Sequence, residues 1–395
     1  MTPKATLAAA AAIVLMTGAS ALADNNLSSL SQNGGSNTAS IDQSAGSGNK
    51  AGRLDLAARQ NGDGNVLDFT QSGDRNEIGG GADGFLQQSN RSRATIVQSS
   101  NRNRVDEVVQ TGIAAANGAA WRNTLSITQE GGTGNVVARV VQTRRDGLLA
   151  LPGQPGNEAT ILQNGAGNRL DLLSQTGLRT TADLSFTGNA NRASAVQAGA
   201  SNDARATVDG SLNAVDIGQE SLALGNTASI DIDGNLNRVM LRQSGNNDAA
   251  IGIAGHTNGV TLEQTGSNAA QIDIEGSGNV LAAQQSGAAN TLAVTVNGHG
   301  NNALPFFSSG VLNPAGLAPG DIVQTGMLNS ITYDLGATTV SNLNRFAFSQ
   351  EGLANSIEGK TDGIGNQVVV TQEGTLNRTS FVQIGNFNVI GVTQQ

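Results

Sequence analysis

Residues 226–237 read NTASIDIDGNLN, and the reading of these twelve residues decides the fold. Ala228, Ile230 and Ile232 fall on even offsets from Asn226, while Thr227, Ser229 and Asp231 fall on odd ones. Such alternation is the period of a β-strand with one buried face. Gly234 lies two residues past the strand end, where positive φ is cheap without a Cβ, and Asn237 tolerates left-handed geometry. The segment is a strand plus a tight turn, about eleven residues long.

The unit recurs along the chain. Its commonest wording is Gln-x-Gly-x-x-Asn, from Gln60 to Asn65, Gln71 to Asn76, Gln163 to Asn168, Gln197 to Asn202 and Gln285 to Asn290. Further copies start at Gln324, Gln350, Gln372 and Gln383. In others an aliphatic residue replaces Gln, as at Val208, Ile232, Ile253 and Ile274. Gln243, Gln264 and Gln285 are 21 apart, and Ile232, Ile253 and Ile274 share that spacing. Two strands per coil put the glutamines in one sheet and the aliphatics in the other. The expected fold is all-β: a β-solenoid of about fifteen coils, about 22 residues and two strands each, with amide and aliphatic ladders repeating every 4.7–4.8 Å.

Composition agrees. In 395 residues there are 52 glycines and no cysteine, and aromatics make up 3%, so no conventional aromatic core is available. Charged residues at 13% are too few for a charge-rich disordered chain. Residues 1–23 have a signal-peptide layout: Lys4, the apolar run Leu7 to Met16, then Ala21-Leu22-Ala23. Cleavage before Asp24 takes the formal net charge from −9 to −10, because residues 1–23 hold Lys4 and no acid. That balance disfavours nucleic acid as the main partner. No later stretch reads as a membrane span. The expected layout is a signal peptide at 1–23, a short segment at 24–31, and repeats over 32–395. All five prolines after residue 23 fall in two interruptions, 143–157 and 301–322. Proline lacks the N–H that an inner strand needs, so these are expected to be loops.

The repeated Asn-x-Ala-x-Val/Ile-x-Gln-x-Gly-x-x-Asn resembles the curlin repeat of the curli amyloid subunits that bacteria export. The resemblance covers nearly all of the chain after residue 23 and implies a stacked strand–turn–strand solenoid assembling into extracellular fibres of the biofilm matrix. It places inward amides at Gln71, Gln129, Gln163, Gln197, Gln243, Gln264, Gln285, Gln350, Gln372 and Gln383, and inward asparagines at Asn76, Asn168, Asn202, Asn290, Asn355, Asn377 and Asn388. The chain departs from the family in its many repeats, in its aliphatic substitutions, and in the near absence of a secretion-targeting segment before Gln32.

The resemblance also implies partners: the chain itself, a nucleator subunit and an outer-membrane secretion apparatus. The final residues NRTSFVQIGNFNVIGVTQQ repeat the strand phrase twice, so the expected docking edge is the strand of Ile390, Val392 and Gln394. A proline at Val392 is expected to remove an N–H where the next molecule pairs. The rival reading is a monomeric surface adhesin that uses the two loops, with Phe306 and Phe307 as contacts. A third is the minor nucleator subunit of the fibre.

Other signals are weaker. His256 and His299 share a turn position 43 residues apart, about 10 Å in a solenoid, too far for one metal ion. GDGNVLDF at Gly62 to Phe69 matches a calcium-binding nonapeptide only once. Asp231 and Asp233 are placed outward on an ordinary strand. No singular carboxylate cluster suggests an enzyme, and neither cofactor nor metal is expected. Residues 88–145 hold eight arginines against Asp106, Glu107 and Glu130. They read chiefly as a solvated face that discourages side-to-side sticking. The functional alternative is a stripe through Arg91, Arg93, Arg102 and Arg104 for acidic polysaccharide or extracellular DNA.

Overall fold

The computed structural model describes residues 25–112, 123–144, 156–222, 224–307, 313, 315–336 and 341–395. The expected signal peptide at 1–23, most of 143–157, and Pro314 lie outside them. The described residues form a β-solenoid of about 15 turns with about 23 residues per turn, all strands parallel and no helix. Each turn lays one strand on face 1, for example Arg192–Ala200, Ala214–Ser221 and Arg238–Gly245. The next strand returns on face 2, for example Thr181–Thr187, Asp203–Asp209 and Thr227–Asp233. Each strand pairs with the strand one coil away, so like residues stack: Ala204 on Ala228, and Ile232 on Ile253 and then Ile274.

The core is a thin slab between the faces. Ala195, Ile217 and Leu241 enter from face 1, and Ala206, Ile230 and Ile232 from face 2, all buried. Small side chains suffice because two inward rows must share one layer. Aromatic residues fit where glycine makes room. Tyr333, Gly359 and Phe381 stack in one column, and a Cβ on Gly359 would collide with the Phe381 ring. Tyr333 packs against Phe346 and Phe348 at 4.6 and 4.9 Å between ring centres.

The turns differ from expectation in one respect. Gly199, Gly210 and Gly234 have positive φ as foreseen, and a Cβ on Gly199 would run into the carbonyl of Ser221 one coil on. The second left-handed residue is the one before Asn, such as Leu212 or Leu236, and not Asn213 or Asn237 themselves. Those asparagines are held in the ladder by their carboxamides.

The solenoid also starts before residue 32. Leu27–Ser28 pairs with Lys50–Ala51, and Leu30–Asn33 with Ala58–Asn61, so part of 24–31 already belongs to the first coil. In the first three coils the face 1 strand is broken into two pieces, which the single strand Arg104–Gly112 then spans. The boundaries of the interruptions shift inward too. Thr143 and Arg144 end the strand Val136–Arg144, and Asp321–Met327 is already strand. At 301–322 the chain leaves the ladder through a splice. The Asn302 carboxamide donates to Val280 O at 3.1 Å and accepts from Phe346 N at 2.9 Å, so a side chain bridges the two flanking coils in place of a peptide group. Pro305 and Pro319 sit in the excursion, outside any strand.

Candidate functional site

The polar feature that repeats along this molecule is the buried amide stack. On face 1 fifteen glutamines follow one another without a gap, from Gln32, Gln60 and Gln87 to Gln350, Gln372 and Gln394. Each Nε2 donates to the Oε1 of the glutamine one coil later, in fourteen bonds of 2.6–3.0 Å. The second Nε2 hydrogen donates to a backbone carbonyl of face 2, as from Gln197 to Thr181 O at 2.7 Å and Gln219 to Asp203 O at 2.8 Å. That second bond fixes which way each amide points, so all fourteen bonds run in one direction. Buried amides are thereby satisfied without water.

Asparagines at the entrance to face 1 form a second ladder with the opposite sense. From Asn26 to Asn388, each backbone N–H donates to the Oδ1 one coil earlier, in fourteen bonds of 2.8–3.1 Å. Asn76, Asn168 and Asn388 belong here. Asn202, Asn290, Asn355 and Asn377 belong to a matching row at the entrance to face 2, where Ser92 and Thr180 stand in for two asparagines.

The glutamines expected to act together divide between the faces. Gln197, Gln243, Gln264, Gln285, Gln350 and Gln372 lie on face 1. Gln71, Gln129, Gln163 and Gln383 lie on face 2, whose column is not uniform. It begins with Gln43, Gln71, Gln98, Gln129 and Gln163, bonded in series. It then turns apolar from Phe186 through Val208, Ile232, Ile253, Ile274 and Val296 to Leu335. It ends on Thr361 and Gln383. The expected division into one amide sheet and one aliphatic sheet therefore holds only for the middle coils. An amide is satisfied only if both neighbours are amides, so each run must be kept unbroken. At its last step the rule fails: Gln383 Oε1 is buried and has no hydrogen-bond partner.

Removing a member of the face 1 ladder should cost far more inside than at its end. Gln219→Ala strands one Gln197 hydrogen and the Gln243 Oε1, an expected local loss of about 2–4 kcal/mol. Gln394→Ala strands the Gln372 and Thr379 hydrogens but no glutamine acceptor. Hydrogen exchange of the flanking strands reads both; equal losses would mean that the ladder carries no stability.

In the strand Val389–Gln394 the side chains point as expected, but the backbone N–H groups do not. Ile390 and Val392 pack against the core opposite Val368 and Val370, and Gln394 closes the ladder. At positions equivalent to Val392 the N–H turns back to the preceding coil, as from Ala58 to Ser29 O and Val108 to Gly84 O. At the position equivalent to Val389 it points forward, as from Gln367 to Asn388 O. Because strand N–H groups alternate, the forward donors of the last strand are Val389, Gly391 and Thr393.

The residues behind the weaker signals occupy turns and strand ends. His256 and His299 sit on one edge, each Nδ1 accepting a backbone N–H at 3.1 Å, from Asn235 and Ser277. Asp63 of the Gly62 to Phe69 segment accepts from Gly35 N at 2.6 Å. No group of three potential metal ligands occurs among the described residues, and no described helix is long and apolar enough to cross a membrane. Arg91 and Arg93 lie at the turn into face 2, whereas Arg102 and Arg104 lie at the opposite turn, so the four do not form one stripe. Arg104 pairs with Asp106 at 2.7 Å and Arg139 with Glu107 at 3.2 Å. Burial pushes the Asp171 carboxyl up, but hydrogen bonds from Arg192 and Arg169 outweigh it and hold it below the usual carboxylate range. Phe307 of the loop folds back, its ring under the Arg345 guanidinium at 5.3 Å and its N–H on Gln367 Oε1. No protein-family model and no curated protein matches the chain.

Proposed function

We propose that the protein is an extracellular structural subunit that polymerises end to end, a curli-like fibre protein contributing to a biofilm matrix, exported by a signal peptide and without catalysis. One observation carries this reading: the one-way amide ladder. Its last member, Gln394, has a hydrogen of the kind its counterparts pass to the next coil, and its first, Gln32, has an acceptor of the kind they receive on. The asparagine rows offer the reverse pair, Oδ1 acceptors on Asn377 and Asn388 and backbone donors on Asn26 and Asn37. The two ends of the stack are thus complementary to each other and not to themselves, which favours head-to-tail addition.

The strand count sets the junction. Among the described residues the stack holds fifteen strand positions on face 1 and fourteen on face 2. A copy added without a gap therefore sits rotated by half a turn, with Gln32 over Gln383 and Gln43 over Gln394. A nucleator and a secretion apparatus remain further partners within this reading, whereas the stripe that would bind acidic polysaccharide is not formed. The adhesin reading gains no support from Phe307, which is engaged by its own chain.

The test is electron microscopy of the exported chain with thioflavin fluorescence. Fibres are expected, with strands across the axis and a subunit rise of about 70 Å, from fourteen and a half coils at the strand spacing. The helical rotation should be near a half turn plus the solenoid's own twist. Stable monomers over days at high concentration would overturn the proposal, and fibres with no axial repeat near that length would overturn the junction.

A further inference from the structure

The turn edge from face 1 to face 2 changes character in the last coils. The residue before Asn at this edge is left-handed in most turns and is elsewhere small or polar, as at Ser36, Gly64, Ser201 and Gly225. At Leu328 and Leu376 it is leucine, with φ of 58° and 60°. A bulky apolar side chain is a poor choice for that conformation, where glycine or asparagine fits without strain. Burial does not compensate. Leu328 and Leu376 are 56% and 74% exposed, and beside them Met327 and Leu353 are 52% and 42% exposed. The ridge is held coil to coil, Ala354 N donating to Met327 O and Leu376 N to Leu353 O, both at 2.9 Å. Two local rules are broken together on a rigid surface, and nothing inside the molecule gains by it.

Charges flank the ridge asymmetrically. Glu351 and Glu373 border it on face 1, and Arg378 on face 2, all exposed. Among the described residues no ion pair involving Glu373 or Arg378 occurs. The opposite edge also exposes left-handed Leu212, Leu236, Leu343 and Phe387, but in the last coils, at the height of Leu328 and Leu376, its charges are engaged: Arg345 covers Phe307, and Asp362 is buried.

We propose that two copies of this chain pair side by side through the ridge of Met327, Leu328, Leu353 and Leu376. The copies run parallel, related by a two-fold axis along the solenoid. That axis brings face 1 of one copy to face 2 of the other at equal height, so Glu373 meets the partner's Arg378 twice per pair. The antiparallel alternative brings face 1 to face 1 and sets Glu351 and Glu373 against the same acids, which selects against it. A second copy is the fitting occupant because the ridge has the coil pitch, and only a surface of that pitch can match it row by row. The contact is lateral and does not depend on end-to-end stacking.

The test is sedimentation of the full chain carrying Thr393→Pro, which removes a forward N–H at the open end and leaves the ridge untouched. Concentration-dependent dimers are expected. Leu328→Asn with Leu376→Asn should weaken pairing at least about tenfold, as loss of central apolar anchors does, while the thermal midpoint holds or rises because asparagine suits the turn. Glu373→Arg alone should weaken pairing, and adding Arg378→Glu should restore it. Monomers at all concentrations, unchanged pairing in the asparagine double variant, or failure of the charge swap to restore would each overturn the proposal. A drop in thermal midpoint would assign the leucines to the fold and overturn it as well. Absence of fibres in the wild-type chain would instead count against stacking and leave a positive sedimentation result standing.

Discussion

Thr393→Pro is expected to cut seeded fibre elongation about tenfold or more while leaving the monomer nearly as stable as wild type. Proline removes a forward N–H of the last strand and fixes φ in a strand that an incoming copy must pair with. Thr393 points outward on face 1 and takes no part in the amide ladder. Damage within the monomer stays local, because a solenoid coil depends mainly on its neighbours. Val392→Pro makes the contrasting control. Its N–H turns back to the preceding coil, so this variant should fray the final coil of the monomer itself. Circular dichroism and hydrogen exchange read the monomer, and seeded thioflavin kinetics read the growing end. Elongation of Thr393→Pro at the wild-type rate would mean that copies do not add on this strand.

That control inverts the expectation drawn from the sequence, and the reason is physical. Period-two alternation shows which side chains point inward, so Ile390 and Val392 were legible as core. It does not show whether a given N–H bonds forward or back, because that depends on the direction in which coils stack. The general architecture was legible for a related reason: glycine, asparagine and proline constrain φ and hydrogen bonding locally, so their spacing survives in the sequence. Ladder membership was less so. Gln87, Gln142 and Gln219 carry Ser89, Arg144 and Ser221 where the motif has glycine, and a search for Gln-x-Gly passes over them. The signal that finds them is the alternating strand before each, as in Val215, Ile217 and Gln219, all buried. Asn302 was hidden altogether, since its role is to replace a peptide group beside an insertion, which no repeat records. The leucines at 328 and 376 read as unremarkable turn residues until their backbone conformation and exposure are seen together.

Gln383→Ile should move monomer stability and fibre growth in opposite directions. In the monomer Gln383 is the one glutamine of its column that follows a non-amide, Thr361, and its Oε1 is buried without a partner. Removing an unsatisfied buried acceptor is worth about 1–3 kcal/mol. Isoleucine is the residue this column already uses at Ile232, Ile253 and Ile274, so the replacement has a proven shape there. Taken alone, the monomer would be better off without this glutamine. At the junction the balance reverses. The first coil offers amides on both faces, Gln32 and Gln43, and an isoleucine in place of Gln383 leaves the Gln32 acceptor facing a hydrocarbon in a site sealed from water. One lost amide bond with its partner stranded corresponds to about tenfold slower net elongation. A melting curve and seeded kinetics on the same preparation separate the two effects. A more stable monomer that elongates as fast as wild type would show that Gln383 does not face the next copy, and the half-turn junction would have to be abandoned. A less stable monomer would show that its carboxamide serves the solenoid itself.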